Sequence, residues 1–373
     1  MPDQINKPTI MRRNDLDWLR VAAVLLLIPF HAALIFVADP NSIMYVKDSV
    51  YSIFLGRMAG YIHQFHMPLL FFIAGASSFF ALAFRSPGLF LQERVKRLLV
   101  PAVFTTVVLV PPMTYLSRVN AGEKITFWQH YAGFFKFNPA DLTGLSGSLT
   151  PAHSWFILYL VLFSVIALPL FLGVRRNLDR TFSNKLASFF EKPFTLYLLL
   201  IPVAVTASID LLGDKNPIYY FAIFILGFLL MADNRYQKAI DREAPYSLVL
   251  GSLFFVVRVL WYPGFSEWSL AWIGYGLMEQ ATRLFLLFGI LGFGHRFIHK
   301  GEKVLAYLSK AAFPFYLLHL LITTIIGFFV IKLNTNIAVK YLTIITLSTL
   351  ATFGVYEVFR RIPPFQFLLG IKK

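Results

Sequence analysis

The chain has 373 residues, of which 57% are hydrophobic, 17% aromatic and only 14% charged, and this balance excludes an ordinary soluble domain and a disordered chain alike. The net charge of +15 does not indicate nucleic-acid binding, because the basic residues are spread over the loops between apolar segments, where they would face lipid headgroups. The composition therefore predicts an all-α, polytopic membrane protein.

Apolar runs predict about ten transmembrane helices, each long enough to cross roughly 30 Å of hydrocarbon. In chain order, the predicted spans are residues 16–38, 57–83, 98–116, 153–173, 194–212, 216–232, 246–262, 275–298, 306–331 and 338–359. The first run is interpreted as a retained helix rather than a signal peptide, because it is long enough to span and holds Asp15, Asp17, Arg20 and His31.

Lysine and arginine are distributed unequally between the two sets of loops. The terminal tails and the loops around 84–97, 174–193, 233–245 and 296–310 hold 23 of them, the opposite loops hold 8, and 3 fall inside spans. This asymmetry predicts that both termini are cytoplasmic. The predicted organisation is a cytoplasmic tail over 1–14, one transmembrane domain over 15–360 and a second cytoplasmic tail over 361–373.

Histidines predicted at one depth, in the outer half of the membrane, are the main functional signal. His31 lies about 16 Å beyond Arg20 along the first helix, at 1.5 Å per residue. The second span runs back inward and brings His63 and His66 to the same level. Ionisable side chains inside spans are costly unless they have partners or line a watery cavity. We therefore expect these imidazoles to converge in an outward-facing polar cavity.

Further polar residues are predicted near that level, and the loop at about 117–152, with its sequence GLSGSLTPAH, is typical of a mobile lid or substrate loop. The candidates for binding the substrate are His63, His153, Trp155, Arg258, Arg283 and His319. Glu279 is a catalytic candidate, but its i, i+4 spacing to Arg283 also fits a structural ion pair. Interfacial tryptophans often form only an aromatic belt, and a lone membrane histidine is often a satisfied interhelical hydrogen-bonder.

A basic group is predicted on the cytoplasmic side. Arg20, together with Arg94, Lys96 and Arg97 of the run QERVKRLLVP, would grip the phosphates of an anionic ligand, although that run also fits a positive-inside marker. An acyl-coenzyme A (acyl-CoA) carries phosphates at one end and a reactive group on a long arm, so it is the predicted donor. A carbohydrate acceptor would enter from outside and offer a hydroxyl to His31, since an imidazole with an ordinary pKa near 6.5 suits proton abstraction at neutral pH. No metal is expected, and the absence of cysteine excludes thiolate ligands.

Several motifs in a fixed order carry a family resemblance. They are DLDWLRVAAVLLLIPFH, FHMPLLFFIAGASSFF, RSPGLFLQERVKRLLVP, VPPMTYLSR and HSWFILYLVLFSVIALPLF, with YLLH in the ninth span. Together they resemble the membrane-bound acyltransferase family 3, and within it the branch that succinylates glucans. The joint pattern is specific, because an arginine and a histidine separated by ten residues precede the HMPLLFFIAG and ERVKRLLVP blocks.

The resemblance implies about ten core helices in the inner membrane. It implies transfer of an acyl group from cytoplasmic acyl-CoA to an extracytoplasmic carbohydrate, such as a periplasmic glucan or a surface polysaccharide. Arg20 would assist with the donor and His31 would be essential to catalysis. The donor would be succinyl-CoA in the glucan branch and is most often acetyl-CoA elsewhere in the family. Glucan- or polysaccharide-synthesis proteins are the expected partners.

Two mechanisms and one rival function stay open. His31 either takes the acyl group as an acyl-imidazole or acts as a general base. Glu279, His63 or His66 would orient the His31 ring, and His66 and Glu279 are therefore counted as catalytic candidates. The rival is a proton-coupled transporter of a small anionic solute, because buried histidines, a glutamate and arginines also typify such carriers.

Overall fold

Apolar stretches of the sequence fold into helices throughout a computed structural model, which describes residues 13–39, 43–177, 181–209, 211–261, 264, 266, 269–298 and 301–371. No strand occurs within these ranges, so the all-α prediction is confirmed. Most of the predicted N-terminal tail, and the last two residues, lie outside the described residues.

The helices are α1 (Asn14–Leu25), α2 (Leu27–Leu34), α3 (Ile53–Phe84), α4 (Pro87–Arg94), α5 (Val100–Phe104), α6 (Val110–Asn120), α7 (Phe127–Phe134), α8 (Trp155–Arg176), α9 (Thr181–Phe190), α10 (Leu200–Ser208), α11 (Pro217–Leu229), α12 (Asn234–Leu260), α13 (Leu270–Phe297), α14 (Glu302–Val330), α15 (Ile337–Phe359) and α16 (Pro363–Leu368). Two π-helical segments, Val95–Leu99 and Thr105–Leu109, join α4, α5 and α6 into one long helical stretch. Single 3₁₀ turns occur at Ala152–Ser154, Thr195–Leu199 and Gly213–Lys215.

The polytopic prediction is confirmed, but fewer helices than predicted are long and apolar enough to cross a bilayer. Within the described ranges there are eight, or nine if Ser183–Phe190 and Thr195–Ser208, bent by 115°, form one span. The ten predicted spans all correspond to helical stretches in the same order. The sixth is α11, whose 13 residues extend only about 20 Å and fall short of the hydrocarbon thickness. The side on which each terminus lies stays a prediction.

The two ends of the bundle differ in chemistry, and we name them accordingly. The cavity end carries the segments at 35–39, 43–52, 121–151, 211–216 and 331–336. The basic end carries the segments at 85–86, 191–194, 230–233 and 360–371, together with Arg20 and Arg94. Between the ends, α14 packs against α1, α2 and α15, and α3 packs against α2, α11 and α13.

Prolines lie inside the three helices that carry most of the predicted site. Pro29 has no N–H to donate, so the helical hydrogen bonding is disturbed, and α1 passes into α2 at Leu26. Pro68 lies inside α3, and Pro314 lies inside α14. Each proline is within five residues of a predicted site histidine, so each of these helices lacks one backbone N–H donor close to the cavity.

Two glycines let α3 and α11 approach each other backbone to backbone. A Cβ atom added at Gly227 of α11 would lie 2.0 Å from the carbonyl oxygen of Phe72, and one at Gly75 of α3 would lie 1.9 Å from that of Phe224. These distances are far below van der Waals contact, so no larger residue fits at either position without moving a backbone. The contact holds the short helix α11 firmly against α3.

Candidate active site

A cavity of about 340 Å³ lies at the cavity end and is walled by α2, α3 and α14. Its helical lining residues recur at intervals of three and four, which places them on one face of each helix. They include Leu27, Phe30, His31 and Leu34, then Gly56, Gly60, His63 and Met67, and finally Tyr316, His319 and Leu320. The cavity is therefore built by three helices that the sequence predicts as apolar spans.

Five histidines in the described part of the chain line this cavity, and we call them the histidine cluster: His31, His63, His66, His153 and His319. The ring centroids of His31 and His319 are 5.3 Å apart, those of His153 and His319 are 5.4 Å apart, and those of His63 and His66 are 5.7 Å apart. The ring of Phe30 lies between the two halves, with its centroid 5.0 Å from that of His31 and 4.8 Å from that of His66. The structure thus brings together all five histidines that the sequence predicted for the site.

Backbone carbonyls fix the protonation of three of these rings. His66 Nδ1 donates to the Ile62 carbonyl at 3.2 Å, and His153 Nε2 donates to the Leu317 carbonyl at 3.0 Å. His319 Nδ1 donates to the carbonyl of Tyr316 at 2.6 Å. A carbonyl oxygen only accepts, so each of these nitrogens carries a hydrogen, and the other nitrogen of each neutral ring is an acceptor.

The short segment before α8 carries His153 into the cavity wall. Ala152 adopts φ +47°, a left-handed conformation that is unfavourable for a residue with a Cβ atom. Its N–H donates to Thr150 Oγ1 at 3.1 Å, and the Tyr316 hydroxyl donates to the carbonyl of His153. These contacts hold the strained turn in place and so set the position of the His153 ring.

Polar residues from the loops form the rim of the cavity. Asp214 Oδ1 lies 3.9 Å from His63 Nε2, a distance that suits an ion pair rather than a hydrogen bond. The interaction with His63 comes first among the causes that lower the pKa of Asp214 to about 2. Lys215 also lines the rim, and its carbonyl accepts a hydrogen bond from the Tyr159 hydroxyl at 2.9 Å.

The loop at about 117–152, predicted as a lid, contains a short helix and a hydrogen-bonded turn. It includes α7 and a turn in which the Asp141 carboxylate accepts hydrogen bonds from the Thr143 and Ser148 hydroxyls, both at 2.8 Å. Thr143 lies on the cavity rim, and its carbonyl accepts a hydrogen bond from the Tyr45 hydroxyl at 3.2 Å. The loop therefore reaches the cavity, while its mobility stays a prediction.

Glu279, Arg258 and Arg283 form a separate group, which we call the arginine cluster. Glu279 Oε2 lies 2.8 Å from Arg258 Nη2, and Glu279 Oε1 lies 2.5 Å from Arg283 Nη2. The Arg283 guanidinium lies 5.5 Å from the ring centroid of Tyr219. These three residues do not line the cavity, so the predicted contact between Glu279 and His31 gains no support from the geometry.

The predicted donor residues lie at the basic end. Arg20 pairs with Asp17 at 2.8 Å and is about one-third exposed, and Lys96 and Arg97 are exposed. Arg94 Nη2 donates to Ser78 Oγ at 2.8 Å. Arg175 was not predicted, but its guanidinium lies 5.9 Å from the ring of Phe79, the residue that follows Ser78. Its Nη1 atom is buried with no hydrogen-bond partner among the described residues.

Some residues that line the cavity were not predicted from the sequence. Asp214 and Lys215 lie in the turn that the sequence places between two spans, but a turn predicts no contact with another helix. Tyr316 is three residues before His319 and so shares its helix face, a spacing that was readable. Within the described ranges, no group of three or more His, Asp or Glu side chains is arranged to hold a metal ion.

The chain is similar to one protein family and to several named proteins. A family model described as an acyltransferase domain matches residues 13–357. Three relatives named Glucans biosynthesis protein C, from Escherichia coli O81 (strain ED1a), E. coli (strain SMS-3-5 / SECEC) and E. coli O139:H28 (strain E24377A / ETEC), are each 22% identical over 99% of this chain and 97% of their own length. No solved structure matches the chain.

Proposed function

The chain belongs to the acyltransferase family whose domain model covers residues 13–357, and from that premise we propose that it moves an acyl group from cytoplasmic acyl-CoA to a hydroxyl of an extracytoplasmic carbohydrate. That it is a membrane enzyme for acyl transfer follows from the family and from the helices. The finer assignment is ours. Because the named relatives are called glucan biosynthesis proteins, a glucan is the proposed acceptor and succinyl the proposed group, with acetyl as the alternative.

The observation that carries the proposal is the position of His31. Its side chain is half-buried on the wall of the cavity, and the cavity reaches the loops of the cavity end. An acceptor that enters from that end would meet an imidazole, whose neutral form has a lone pair that can accept a proton. Trp155 also lines the cavity and offers an aromatic face to a sugar ring.

The reaction needs one proton to move. As the acceptor oxygen attacks the thioester carbonyl, His31 takes the hydroxyl proton, the carbon–oxygen bond forms and the carbon–sulfur bond breaks. The protonated imidazole then returns the proton to the departing thiolate. In the alternative route, a nitrogen of His31 attacks the thioester carbonyl, the carbon–sulfur bond breaks and the thiolate leaves with the proton of the imidazole. The acceptor oxygen then attacks the acyl-imidazole, the carbon–nitrogen bond breaks and the hydroxyl proton returns to His31.

Contacts at the basic end support a donor site there. Arg94 and Arg175 approach the adjacent residues Ser78 and Phe79 of α3, so both guanidinium groups lie at the same level of the bundle. Guanidinium groups bind phosphate through paired hydrogen bonds, and Arg175 keeps a buried N–H without a partner among the described residues. The arm of a donor held near Arg20 would need to extend about 16 Å to reach His31.

The remaining assignments follow the same proposal. We place the enzyme in the inner membrane with both termini in the cytoplasm, where acyl-CoA is available. Proteins that synthesise the glucan or another polysaccharide are the proposed partners. Membership of an acyltransferase family argues against the rival interpretation as a proton-coupled anion transporter.

Purified protein in lipid vesicles tests the proposal. Acetyl-, succinyl- and longer acyl-CoA are supplied on one side and a glucan on the other, and ester formation and free thiol are measured. We expect both products with the wild type and neither with His31→Ala. Transport of acyl-CoA or of glucan without thioester cleavage would overturn the proposal.

A matched control removes a histidine outside the cavity. His130 is buried in α7, between α6 and α8 in the chain, and its Nε2 lies 2.9 Å from Thr114 Oγ1. We expect His130→Gln to keep wild-type turnover. Loss of turnover in both variants would show that the assay reports folding rather than chemistry.

A further inference from the structure

The tautomer of His31 decides which of its nitrogens can react. Nδ1 of His31 is buried and has no hydrogen-bond partner among the residues described, whereas the ring as a whole is half-buried on the cavity. A neutral imidazole carries its hydrogen on one nitrogen and a lone pair on the other. If Nδ1 holds the hydrogen, Nε2 presents the lone pair that a base or a nucleophile needs.

The nearest polar ring is that of His319, which is fully buried and whose centroid lies 5.3 Å from that of His31. Its Nδ1 hydrogen is committed to the Tyr316 carbonyl at 2.6 Å, so its Nε2 is an acceptor. That Nε2 atom is also buried and lacks a partner in the described part of the chain. A buried acceptor and a buried nitrogen of undetermined role therefore belong to adjacent rings.

The third ring in this group leads to the same conclusion. His153 commits its Nε2 hydrogen to the Leu317 carbonyl, so its buried and unpartnered Nδ1 is a second acceptor. The centroid of its ring lies 5.4 Å from that of His319. With both neighbours fixed as acceptors, a hydrogen on His31 Nε2 would leave three buried lone pairs without a donor. A hydrogen on His31 Nδ1 supplies a donor for His319 Nε2 and leaves only the lone pair of His153 Nδ1 without one.

We infer that His319 is a positioning residue, whose Nε2 accepts a hydrogen bond from His31 Nδ1–H and thereby keeps the reactive lone pair on His31 Nε2. The two nitrogens are not hydrogen-bonded to each other in this structure, and catalytic hydrogen bonds commonly tighten when substrate binds. The inference rests on the proposed role of His31 in acyl transfer. It gives a neutral histidine the orienting role that a carboxylate has in many hydrolases.

The first test reads the tautomer directly and needs no acyl donor. Protein labelled with ¹⁵N-histidine is reconstituted in lipid vesicles, and solid-state NMR distinguishes protonated from unprotonated ring nitrogens. The signals of His31 are those lost in His31→Gln. We expect wild-type His31 to carry its hydrogen on Nδ1, and a hydrogen on Nε2 in the neutral wild-type ring would overturn the inference.

Two variants of His319 sharpen the test. In His319→Gln, the side-chain oxygen replaces the Nε2 acceptor, whereas His319→Phe keeps a ring of similar size and removes the acceptor. We expect His31 to keep its Nδ1 hydrogen in the glutamine variant and to shift it toward Nε2 in the phenylalanine variant. An unchanged tautomer in His319→Phe would overturn the inference.

Turnover measured on the same variants separates this inference from the proposed function. We expect kcat to fall at least about 100-fold in His319→Phe and by less than about tenfold in His319→Gln, with smaller changes in KM. Equal kcat in the two variants would contradict a positioning role while leaving acyl transfer intact. If the tautomer responds as expected but the wild type transfers no acyl group, the proposed function fails and the contact between the two histidines stands.

Discussion

The histidine cluster and the arginine cluster lie close together, yet they differ in how their polar groups are paired. The ring centroids of Tyr219 and Tyr220 are 5.0 Å apart, those of Tyr220 and Trp155 are 5.4 Å apart, and this series of rings connects the two clusters. In the arginine cluster, both oxygens of Glu279 accept from guanidinium groups, and one buried atom, Arg258 Nε, has no partner among the described residues. In the histidine cluster, three buried ring nitrogens, on His31, His153 and His319, have no partner among the described residues.

This difference supports the proposal that the chemistry takes place in the histidine cluster. Oppositely charged side chains that pair between helices hold those helices together, and a reagent that bound the Glu279 carboxylate would have to break an existing ion pair. Neutral rings whose free nitrogens lack partners can exchange protons without losing a contact. We therefore interpret the arginine cluster as a connection between α12 and α13, and the histidine cluster as the reaction site.

The largest expected effect comes from the helix contact that supports both clusters. In Gly227→Ala, the new Cβ atom would lie 2.0 Å from the Phe72 carbonyl oxygen, so α11 must separate from α3. We expect a loss of more than about 3 kcal/mol of stability, seen as little folded protein in detergent and a lower Tm. Gly173→Ala is the matched control, because nothing lies within 4 Å of its Cβ position, and an equal Tm for the two variants would contradict the close contact.

The next prediction separates activity from stability at the histidine cluster. We expect His31→Gln to lower the rate of acyl transfer by about 10²–10⁴-fold or more, because the proton acceptor is lost. The Tm should stay close to that of the wild type, because the glutamine amide keeps an N–H donor that can replace His31 Nδ1–H toward His319 Nε2. Turnover and thermal unfolding are measured on one preparation, and a large fall in Tm would show that His31 is structural.

The arginine cluster should respond in the reverse manner. Glu279→Gln leaves two guanidinium groups facing a neutral amide, and we expect a loss of about 1–3 kcal/mol, less than for a fully buried pair because Glu279 is 26% exposed. Turnover per folded molecule should fall less than about tenfold. These values come from unfolding in detergent and from the vesicle assay.

A double variant serves as the control for that change. Glu279→Gln combined with Arg283→Gln removes one charge of each sign, so it should regain part of the lost stability. Strictly additive losses would contradict a direct ion pair. A loss of turnover as large as that of His31→Gln, with Tm unchanged, would instead return Glu279 to a catalytic role.

Much of this architecture is readable from the sequence, because a bilayer imposes long apolar helices and a fixed rise per residue. Those two constraints brought His31, His63 and His66 to one level. They failed for α11, which is held by contact with α3 through Gly227 and so does not need the length of a full span.

The details of the site depend on contacts between distant segments. The spacing of Glu279 and Arg283 revealed their pairing, but Arg258 comes from the neighbouring helix α12. The hydrogen on His153 Nε2 is fixed by the Leu317 carbonyl, which lies 164 residues further along the chain. No local pattern encodes such a contact, so the sequence gives the histidines but leaves their tautomers open.

The smallest expected effect concerns the exposed rim of the histidine cluster. Asp214 lies near His63, and this interaction lowers the pKa of the carboxyl to about 2. A depressed carboxyl pKa stabilises the folded state above the ordinary value of 3.8, and that contribution is lost as the pH falls through about 2.

Asp214→Asn removes this contribution at every pH. At pH 5, above the ordinary pKa of a carboxyl group, we expect the variant to be less stable than the wild type by under about 1 kcal/mol, because the Asp214 side chain is 72% exposed. The difference in Tm should shrink between pH 4 and pH 2 as the wild-type carboxylate is protonated. A difference in Tm that stays constant over this range would mean that Asp214 acts through packing. At pH 7 we expect turnover near that of the wild type, which would show that the pair of Asp214 and His63 is not needed for the chemistry at His31.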